Sequence, residues 1–339
     1  MELLTIGEFA RASRLSAKAL RLYDELGLLR PAAVDPVNGY RRYSPGQLET
    51  ARIVAWSRRI GMPLAEIRVL VELPGEQAAT AVAAYWRRVE ADTENKRQLA
   101  AVLVEYLSGK GTAVSTSFAV KYAVRTDRGL VRTANQDFAF AGERVLAVAD
   151  GYGDHGAGAS RAAVEAVRQV AVGDLLNAMD DAAHRASEAV RGLDDSGTTL
   201  TALIWEGAQL GLVHVGDSRA YLLRDGELFQ ITHDDTLVQS MVDEGKLTPD
   251  EVASHPRRSI LIRALTGDSG PGVQVRDGRA GDRYLLSSDG LHTVLDLATI
   301  RQVLADEEPQ RAVDRLVTLA NEAGGPDNIS CVVAHLIAQ

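Results

Sequence analysis

The segment AYLLRDGELFQIT (220–232) decides what kind of fold the larger, C-terminal part of the chain adopts. Two short apolar runs flank Asp225-Gly226, and this dipeptide between such runs is a strong signal for a tight hairpin turn. VLAVADG (145–151), TLTALIW (199–205), QLGLVHVGDS (209–218) and RYLLSSDG (283–290) are similar short runs, with helical stretches between them. Strands joined by tight turns run antiparallel. We therefore predict antiparallel sheets flanked by helices, and not a doubly wound parallel sheet.

Length and composition exclude several classes of protein. A chain of 339 residues predicts two or three structural units, and 46% apolar with 24% charged residues excludes a disordered chain. The single cysteine, Cys331, excludes an intramolecular disulfide and a thiolate zinc site. The start MELLTIGEFAR lacks the features of a signal peptide, and no run reaches the ~18 apolar residues of a membrane helix. We expect a cytoplasmic protein with no membrane contact.

Aspartates stand at or near the ends of the apolar runs, several followed directly by Gly or Asn. A carboxylate at a strand end is held by a rigid element and still reaches solvent, and this suits hard cations such as Mg²⁺ and Mn²⁺, which prefer oxygen ligands. Two such ions activate water and clamp the oxygens of a phosphoryl group. Asp225-Gly226 and Asp277-Gly278 are interpreted as ordinary turns. The candidates are Asp137, Asp150, Asp217, Asp289 and Asp327.

The order of these motifs resembles the PPM family, the protein phosphatase 2C-like Ser/Thr phosphatases. The resemblance spans about residues 120–337, and 230–263 matches the flap beside such active sites. The matching segments are RTANQD (132–137), VADGYGDHG (148–156), SGTTLTALI (196–204), VHVGDSRAYLLRDG (213–226), the stretch 231–267, LLSSDGL (285–291) and GGPDNIS (324–330).

The resemblance implies an α+β fold, a PPM-type β-sandwich flanked by helices, with two Mn²⁺ or Mg²⁺ ions. It implies hydrolysis of phosphoserine or phosphothreonine in a phosphoprotein substrate by metal-activated water. Asp150 would bridge the ions and the Gly151 carbonyl would bind one of them. The remaining implied roles are metal binding by Asp289 and Asp327, water orientation by Asp137, phosphate binding by Arg132 and a third, doubtful metal site at Asp217.

Three residues depart from the family pattern. Tyr152 stands where some relatives have a His proposed as general acid, Asp154 replaces a usual Gly, and Thr293 replaces a ligand of the third metal. The ligands implied for the two main ions are all present, so we expect an active enzyme.

The N-terminal residues predict a different unit. TIGEFARAS (5–13) and SAKALRLYDELG (16–27) read as two short helices capped by Thr5 and Ser16. PAAVDPVNGYRRYS (31–44) predicts a hairpin with basic residues, and two more helices follow, separated at Gly61-Met62-Pro63. Either a winged helix-turn-helix or an ordinary helical hairpin fits this pattern alone.

TIGEFA, RLYDELGLL (21–29), GYRRY (39–43) and GMPLAEI (61–67) together resemble the MerR family of transcriptional regulators. The resemblance implies an all-α winged helix-turn-helix in residues 1–75 that binds a double-stranded DNA operator as a homodimer. Residues 1–75 carry 11 basic against 8 acidic residues in a chain of net charge −9, which agrees with a DNA contact in this unit. The implied DNA contacts are Ser16, Lys18, Arg21, Tyr23, Arg41, Arg42 and Tyr43.

A heptad-like seam follows in residues 76–107, where spacings of four and three alternate. We interpret it as a dimerisation helix, the alternative being a helix packed on its own domain. Residues 108–117 (SGKGTAVSTS) predict a flexible linker, and 118–339 form the phosphatase-like domain. The seam positions are Val82, Trp86, Val89, Thr93, Lys96, Ala100, Leu103 and Leu107.

Two alternatives remain open at this point. The phosphatase-like domain could be only a sensor or interaction module of a MerR-type regulator. The helical head could instead dimerise without binding DNA.

Overall fold

The computed structural model describes residues 3–36, 38–107, 118–169, 174–193, 195–243, 247–252, 254–267 and 270–338. The predicted linker 108–117 lies outside these residues. The chain divides into two compact units, one of Met1–Asp92 with Val238–Arg258 and one of Thr93–Leu237 with Ser259–Gln339. None of the described helices combines the length and apolar character required to cross a bilayer.

The helices, named in chain order, begin and end as follows: α1 (Ile6–Ser13), α2 (Ala17–Glu25), α3 (Leu48–Arg59), α4 (Leu64–Leu70), α5 (Gly75–Leu107), α6 (Gly156–Arg168), α7 (Leu175–Val190), α8 (Leu237–Asp243), α9 (Pro249–Val252), α10 (Asp289–His292), α11 (Leu297–Asp306) and α12 (Pro309–Glu322).

The strands are β1 (Leu4–Thr5), β2 (Ala33–Val34), β3 (Arg41–Tyr43), β4 (Phe118–Asp127), β5 (Asp137–Ala141), β6 (Val145–Tyr152), β7 (Gly197–Thr198), β8 (Leu200–Glu206), β9 (Gln209–Val215), β10 (Arg219–Arg224), β11 (Glu227–Gln230), β12 (Gly272–Asp277), β13 (Arg283–Ser287) and β14 (Ile329–Ala338).

Both predicted helix caps in the N-terminal unit are confirmed. The Thr5 hydroxyl accepts the backbone N–H of Glu8, and the Ser16 hydroxyl accepts that of Ala19 at 3.0 Å. The unit is not all-α, however, because β1 pairs with β3 and β3 pairs with β2. Two-residue strands leave almost no periodic signal, which explains why β1 was missed. Phe9 stacks on Tyr43 at 4.5 Å between ring centres in the core of this unit.

Helix α5 changes surroundings along its length. Near its start, Val82, Tyr85 and Val89 pack in the core of the first unit. Towards its end Leu103 and Leu107 are exposed. The first residues thus fit the alternative of packing on the same domain, and the predicted dimer seam remains a prediction.

The second unit contains the predicted antiparallel sheets. The described strands form one sheet in the order β11-β10-β13-β14-β4 and another in the order β12-β9-β8-β6-β5, with β7 paired to β6. Residues 220–232 form the hairpin β10–β11, in which Arg224 pairs with Glu227 across Asp225-Gly226. The tight turn thus gave the correct strand direction.

The two sheets face each other and helices cover their outer sides. An apolar layer between the sheets includes Leu146, Leu203 and Val332, and Trp205 meets Tyr284 edge to face at 5.8 Å. Helices α6 and α7 cover the sheet that contains β6, β8 and β9, while α11 and α12 cover the other sheet. This α+β sandwich places the C-terminal ends of β6 and β13 close to the start of β14.

Candidate active site

A cavity of about 490 Å³ opens where the ends of β6, β9 and β13 meet the loops before β5 and β14. Five of the predicted site side chains lie in its wall, and so does Gly151. The residues that line the cavity are Arg132, Gln136, Asp150, Gly151, Tyr152, Gly153, Thr199, Asp217, Ser259, Leu261, Asp289, Asp327 and Asn328.

Asp150 is held by its backbone at the end of β6. Its N–H donates to the Thr199 hydroxyl at 2.9 Å, and its carbonyl accepts from the Thr198 hydroxyl at 3.0 Å and from the Thr199 N–H at 2.9 Å. The backbone hydrogen bonds leave the carboxylate as the group presented to the cavity. The two threonines belong to SGTTLTALI (196–204), for which the sequence predicted no role at the site.

The loops that carry Asp289 and Asp327 are tied together by backbone contacts. The Ser288 N–H donates to the Ser330 carbonyl at 3.0 Å, and the Ser330 N–H donates to the Ser288 hydroxyl at 2.9 Å. A Cβ atom on Gly290 would lie 2.0 Å from the Asn328 carbonyl oxygen, so only glycine allows this approach. The missing side chain at Gly290 therefore lets the segments that carry Asp289 and Asp327 approach each other closely.

Gly151 is packed with equal closeness. A Cβ atom there would lie 2.0 Å from the Gly156 carbonyl oxygen and 2.8 Å from that of Gln136. The turn from β6 into α6 folds directly over this residue. This packing requires glycine at position 151, and Gly151 lines the cavity.

Asp137 lies behind the cavity wall. It pairs with Asp150 across β5 and β6, is buried, and accepts a hydrogen bond from the Ser288 hydroxyl at 2.6 Å. Its other oxygen, Oδ1, and Oδ1 of Asp289 have no hydrogen-bond donor among the described residues. Buried carboxylate oxygens without a donor are costly unless a cation or water satisfies them.

Burial and mutual repulsion raise the pKa of the clustered carboxyl groups. Burial is the larger cause in each case, and it raises the pKa of Asp137 to about 7 and that of Asp217 to about 7. Burial, followed by the charges of Asp137 and Asp289, raises the pKa of Asp150 well above its usual range. Burial and the charge of Asp327 raise the pKa of Asp289. The site thus holds an excess of negative charge.

Arg132 is the cation of the cavity wall. Its Nη2 donates to Asp327 Oδ2 at 2.7 Å, and this hydrogen bond raises the pKa of the guanidinium. Just over half of its side chain remains exposed, so the guanidinium can also meet a ligand from solvent. A planar guanidinium suits the oxygens of a phosphate group.

The donor set fits divalent cations that prefer oxygen ligands. Asp150, Asp289, Asp327 and the Gly151 carbonyl offer such ligands around one cavity, and the orphaned Oδ1 of Asp289 is a ready acceptor. In the described part of the chain no three His, Cys, Asp or Glu side chains are already drawn together at ligand distances. Like charges repel, and Arg132 holds Asp327, so a cation would have to draw these groups inward.

The family comparison decides what kind of protein this is. The family model for protein phosphatase 2C matches residues 131–331, which is more than half of the chain. The chain belongs to the protein phosphatase 2C family. The matched range includes every predicted site residue that lines the cavity.

Two curated relatives of this protein phosphatase 2C chain are bacterial phosphatases. The serine/threonine protein phosphatase PstP of Mycobacterium tuberculosis is 49% identical over 232 residues, which cover 64% of this chain and 45% of PstP. The chain therefore spans about half the length of that relative. The protein phosphatase PhpP of Streptococcus pneumoniae is 32% identical over 243 residues, which cover 64% of this chain and 98% of PhpP.

Solved structures of the protein phosphatase 2C type include that of the catalytic domain of PstP in complex with two manganese ions. It is 46% identical, covers 65% of this chain and 100% of that one, and superimposes with a TM-score of 0.61. The superposition agrees with the sandwich described above.

Several residues of this protein phosphatase 2C site were missed or left without a role by sequence reasoning. Gln136 donates through Nε2 to the Gly153 carbonyl at 2.8 Å, and Ser288 and Thr199 hold Asp137 and Asp150. Polar residues beside a motif carry no separate signal, so only the fold reveals them. Asn328 shapes its loop, because its side-chain amide donates to the carbonyls of Arg128 and Ala134 at 2.9 Å each.

The structure also shows the surroundings of Asp217, Thr293, Tyr152 and His214. Asp217 lines the cavity, whereas the Thr293 hydroxyl donates to the Asp289 carbonyl at 2.8 Å and stabilises α10. Tyr152 also lines the cavity and is 38% exposed. His214 is buried, and its ring forms hydrogen bonds with the Thr201 hydroxyl and the His233 carbonyl.

The predicted DNA-contact residues fall into two groups. Tyr23 and Tyr43 are buried in the core of the first unit, and Tyr43 donates to the Leu20 carbonyl. Their prediction as DNA contacts is wrong, because each aromatic ring is used to pack the helices. Arg41 is half-buried and pairs with Asp24 at 2.6 Å, and the Ser16 hydroxyl caps α2. The exposed basic members are Lys18, Arg21 and Arg42.

The N-terminal unit has its own match. The model for MerR family regulatory protein matches residues 5–43, which include α1, α2 and the β2–β3 hairpin. Helices α3 and α4 and the long helix α5 lie beyond the matched residues.

Proposed function

We propose that the chain is a Mn²⁺- or Mg²⁺-dependent protein phosphatase that hydrolyses phosphoserine and phosphothreonine. The observation that carries the proposal is one cavity lined by four half-buried carboxylates and an exposed arginine, with an orphaned acceptor oxygen on Asp289. The relatives named serine/threonine phosphatases and the structure with two manganese ions support it.

Asp150, the Gly151 carbonyl, Asp289 and Asp327 would hold two ions, which when bound lower the pKa of water and neutralise phosphate charge. Asp217 would contribute at most to a weaker third site. Of the chain's own groups, Arg132 binds the substrate phosphate through its planar fork and orients the phosphorus. Asp137 would orient the attacking water through Oδ1, which has no hydrogen-bond donor among the described residues.

Phosphate release from a phosphothreonine peptide tests the activity. We expect turnover with Mn²⁺ that Asp150→Asn abolishes and that the turn variant Asp225→Asn retains. Equal turnover by Asp150→Asn and wild type would contradict the role of Asp150, and no turnover with any divalent ion would favour the alternative of a sensor module.

We further propose that the N-terminal unit binds double-stranded DNA as a transcription regulator and that the protein acts in the cytoplasm. The MerR match and the exposed cations Lys18, Arg21 and Arg42 support this reading. The proposed domains are 1–75 for DNA binding, 76–107 for homodimerisation, 108–117 as linker and 118–339 for catalysis.

Binding of a promoter fragment at several salt concentrations tests DNA recognition. Affinity should fall steeply with salt, and the double variant Arg21→Ala with Arg42→Ala should bind more weakly and with a shallower salt slope. Wild-type affinity and slope in that variant would refute DNA binding by this surface and leave a head that only dimerises.

A further inference from the structure

Two large apolar side chains lie exposed directly before Arg132. Leu130 is 65% exposed and Val131 is 67% exposed. Single exposed apolar residues are common on protein surfaces and need no explanation. Here two of them are consecutive, and the next residue lines the cavity.

The loop that presents them is fixed and not free to bury them. The Leu130 N–H donates to the Gly325 carbonyl at 2.8 Å, and the Gly129 N–H donates to Asp127 Oδ1 at 2.9 Å. The Arg128 carbonyl accepts from the Asn328 side chain at 2.9 Å. These bonds join the loop to the segment that carries Asp327, so the apolar pair keeps a constant position beside the cavity.

Two glycines, Gly129 in this loop and Gly325 opposite it, are closely packed. A Cβ atom on Gly129 would lie 2.0 Å from the Asp327 carbonyl oxygen, and one on Gly325 would lie 3.0 Å from Leu130 Cγ. Leu130 therefore lies against the backbone that leads to Asp327 and still exposes most of its surface.

A bound phosphoprotein would reach this pair. Val131 directly precedes Arg132 in the chain, so a substrate with its phosphate on Arg132 would bring its neighbouring residues close to Leu130 and Val131. We infer that Leu130 and Val131 form an apolar subsite for the residue next to the phosphoserine or phosphothreonine. The inference rests on the proposed function and adds a preference for substrates with an apolar neighbour.

Continuity with the cavity argues for a substrate peptide as the occupant. The subsite adjoins the phosphate-binding Arg132, and Leu261 adds a further apolar side chain to the cavity wall. A peptide that places its phosphate on Arg132 would pass beside Leu130 and Val131, whose loop is already held in place by its backbone hydrogen bonds. Burying these apolar surfaces favours an apolar side chain over a charged one.

The test compares phosphothreonine peptides that differ only in the residue on one side of the phosphothreonine, Leu or Asp, with each side examined in turn. For wild type loaded with Mn²⁺ we expect kcat/KM to be about tenfold higher for the Leu peptide on at least one side. Leu130→Ser and Val131→Ser should each reduce that ratio severalfold. Leu297→Ser removes an apolar residue that is 54% exposed on α11 and should retain the wild-type ratio and rate.

Peptide binding gives a second readout that does not depend on turnover. In an Asp150→Asn background, fluorescence anisotropy should show the same preference for the Leu peptide, and adding Val131→Ser should remove it. Equal kcat/KM for both peptides in wild type, or a preference that persists in Leu130→Ser and in Val131→Ser, would overturn the subsite. No turnover of either peptide or of p-nitrophenyl phosphate would refute the proposed function, and the subsite with it.

Discussion

Replacing Asp150 by Asn should separate the metal-dependent from the metal-independent stability of the second unit. Wild type carries several buried carboxylates whose pKa values are raised by burial and mutual repulsion. A raised folded-state pKa contributes stability below the unfolded value near 4, and this contribution is lost as pH rises through about 7. At pH 8 the metal-free wild type is therefore destabilised by these groups, and Asp150→Asn removes one of the buried charges.

Mn²⁺ at a hundred times its Kd stabilises a folded protein by about 2.7 kcal/mol. For a unit of this size, 1 kcal/mol shifts the melting temperature by roughly 2–4 °C, so wild type should gain about 5–10 °C. Asp150→Asn should melt higher than wild type without metal and lose most of the Mn²⁺ shift.

Differential scanning fluorimetry at pH 6 and pH 8, with and without Mn²⁺, measures these effects. Asp225→Asn makes the same chemical change at an exposed turn and should behave as wild type in every condition. A full Mn²⁺ shift in Asp150→Asn, or an equal loss of that shift in Asp225→Asn, would refute the assignment of Asp150 to the ion site.

Three further perturbations follow from the same geometry. Arg132→Ala should raise KM for a phosphopeptide roughly 10- to 100-fold, since hydrogen bonds to charged groups contribute about 1.5–3 kcal/mol, and an unchanged KM in steady-state kinetics would contradict phosphate binding by Arg132. Gly290→Ala should destabilise the unit by about 1–3 kcal/mol and weaken Mn²⁺ binding, because its Cβ meets the Asn328 carbonyl. Gly158→Ala is the control, since a Cβ atom there would have no neighbour within 4 Å. Equal midpoints of urea denaturation for the two variants would contradict the tight packing at Gly290. Burial lowers the pKa of His214, so the free energy of unfolding should fall as pH drops below about 6.5. In denaturation experiments at pH 7.5 and 5.5, His214→Gln should reduce this pH dependence. The same pH dependence in the variant and wild type would contradict the role of His214.

The antiparallel sandwich and the aspartates that line the cavity were predictable from local signals. Asp225-Gly226 between apolar runs determines strand direction, and Asp150 and Asp289 stand where apolar runs end. Each signal lies within a few residues of sequence, and the fold only brings the aspartates together.

Other features depend on contacts between distant residues and left no local signal. Tyr23 and Tyr43 lie in motifs from which DNA contacts were predicted, yet their rings pack in the core of the first unit. Strand β1 has only two residues, and its pairing with β3 exists only after the chain folds back. The support of Asp137 by Ser288 joins residues 151 positions apart, which no spacing rule could predict.

Anomalous diffraction from crystals grown with Mn²⁺ locates any bound ions in the second unit. We expect two manganese peaks in the cavity, each bound by oxygens of Asp150, Gly151, Asp289 or Asp327. Manganese found only at other surfaces, or a cavity without any peak at saturating Mn²⁺, would contradict it.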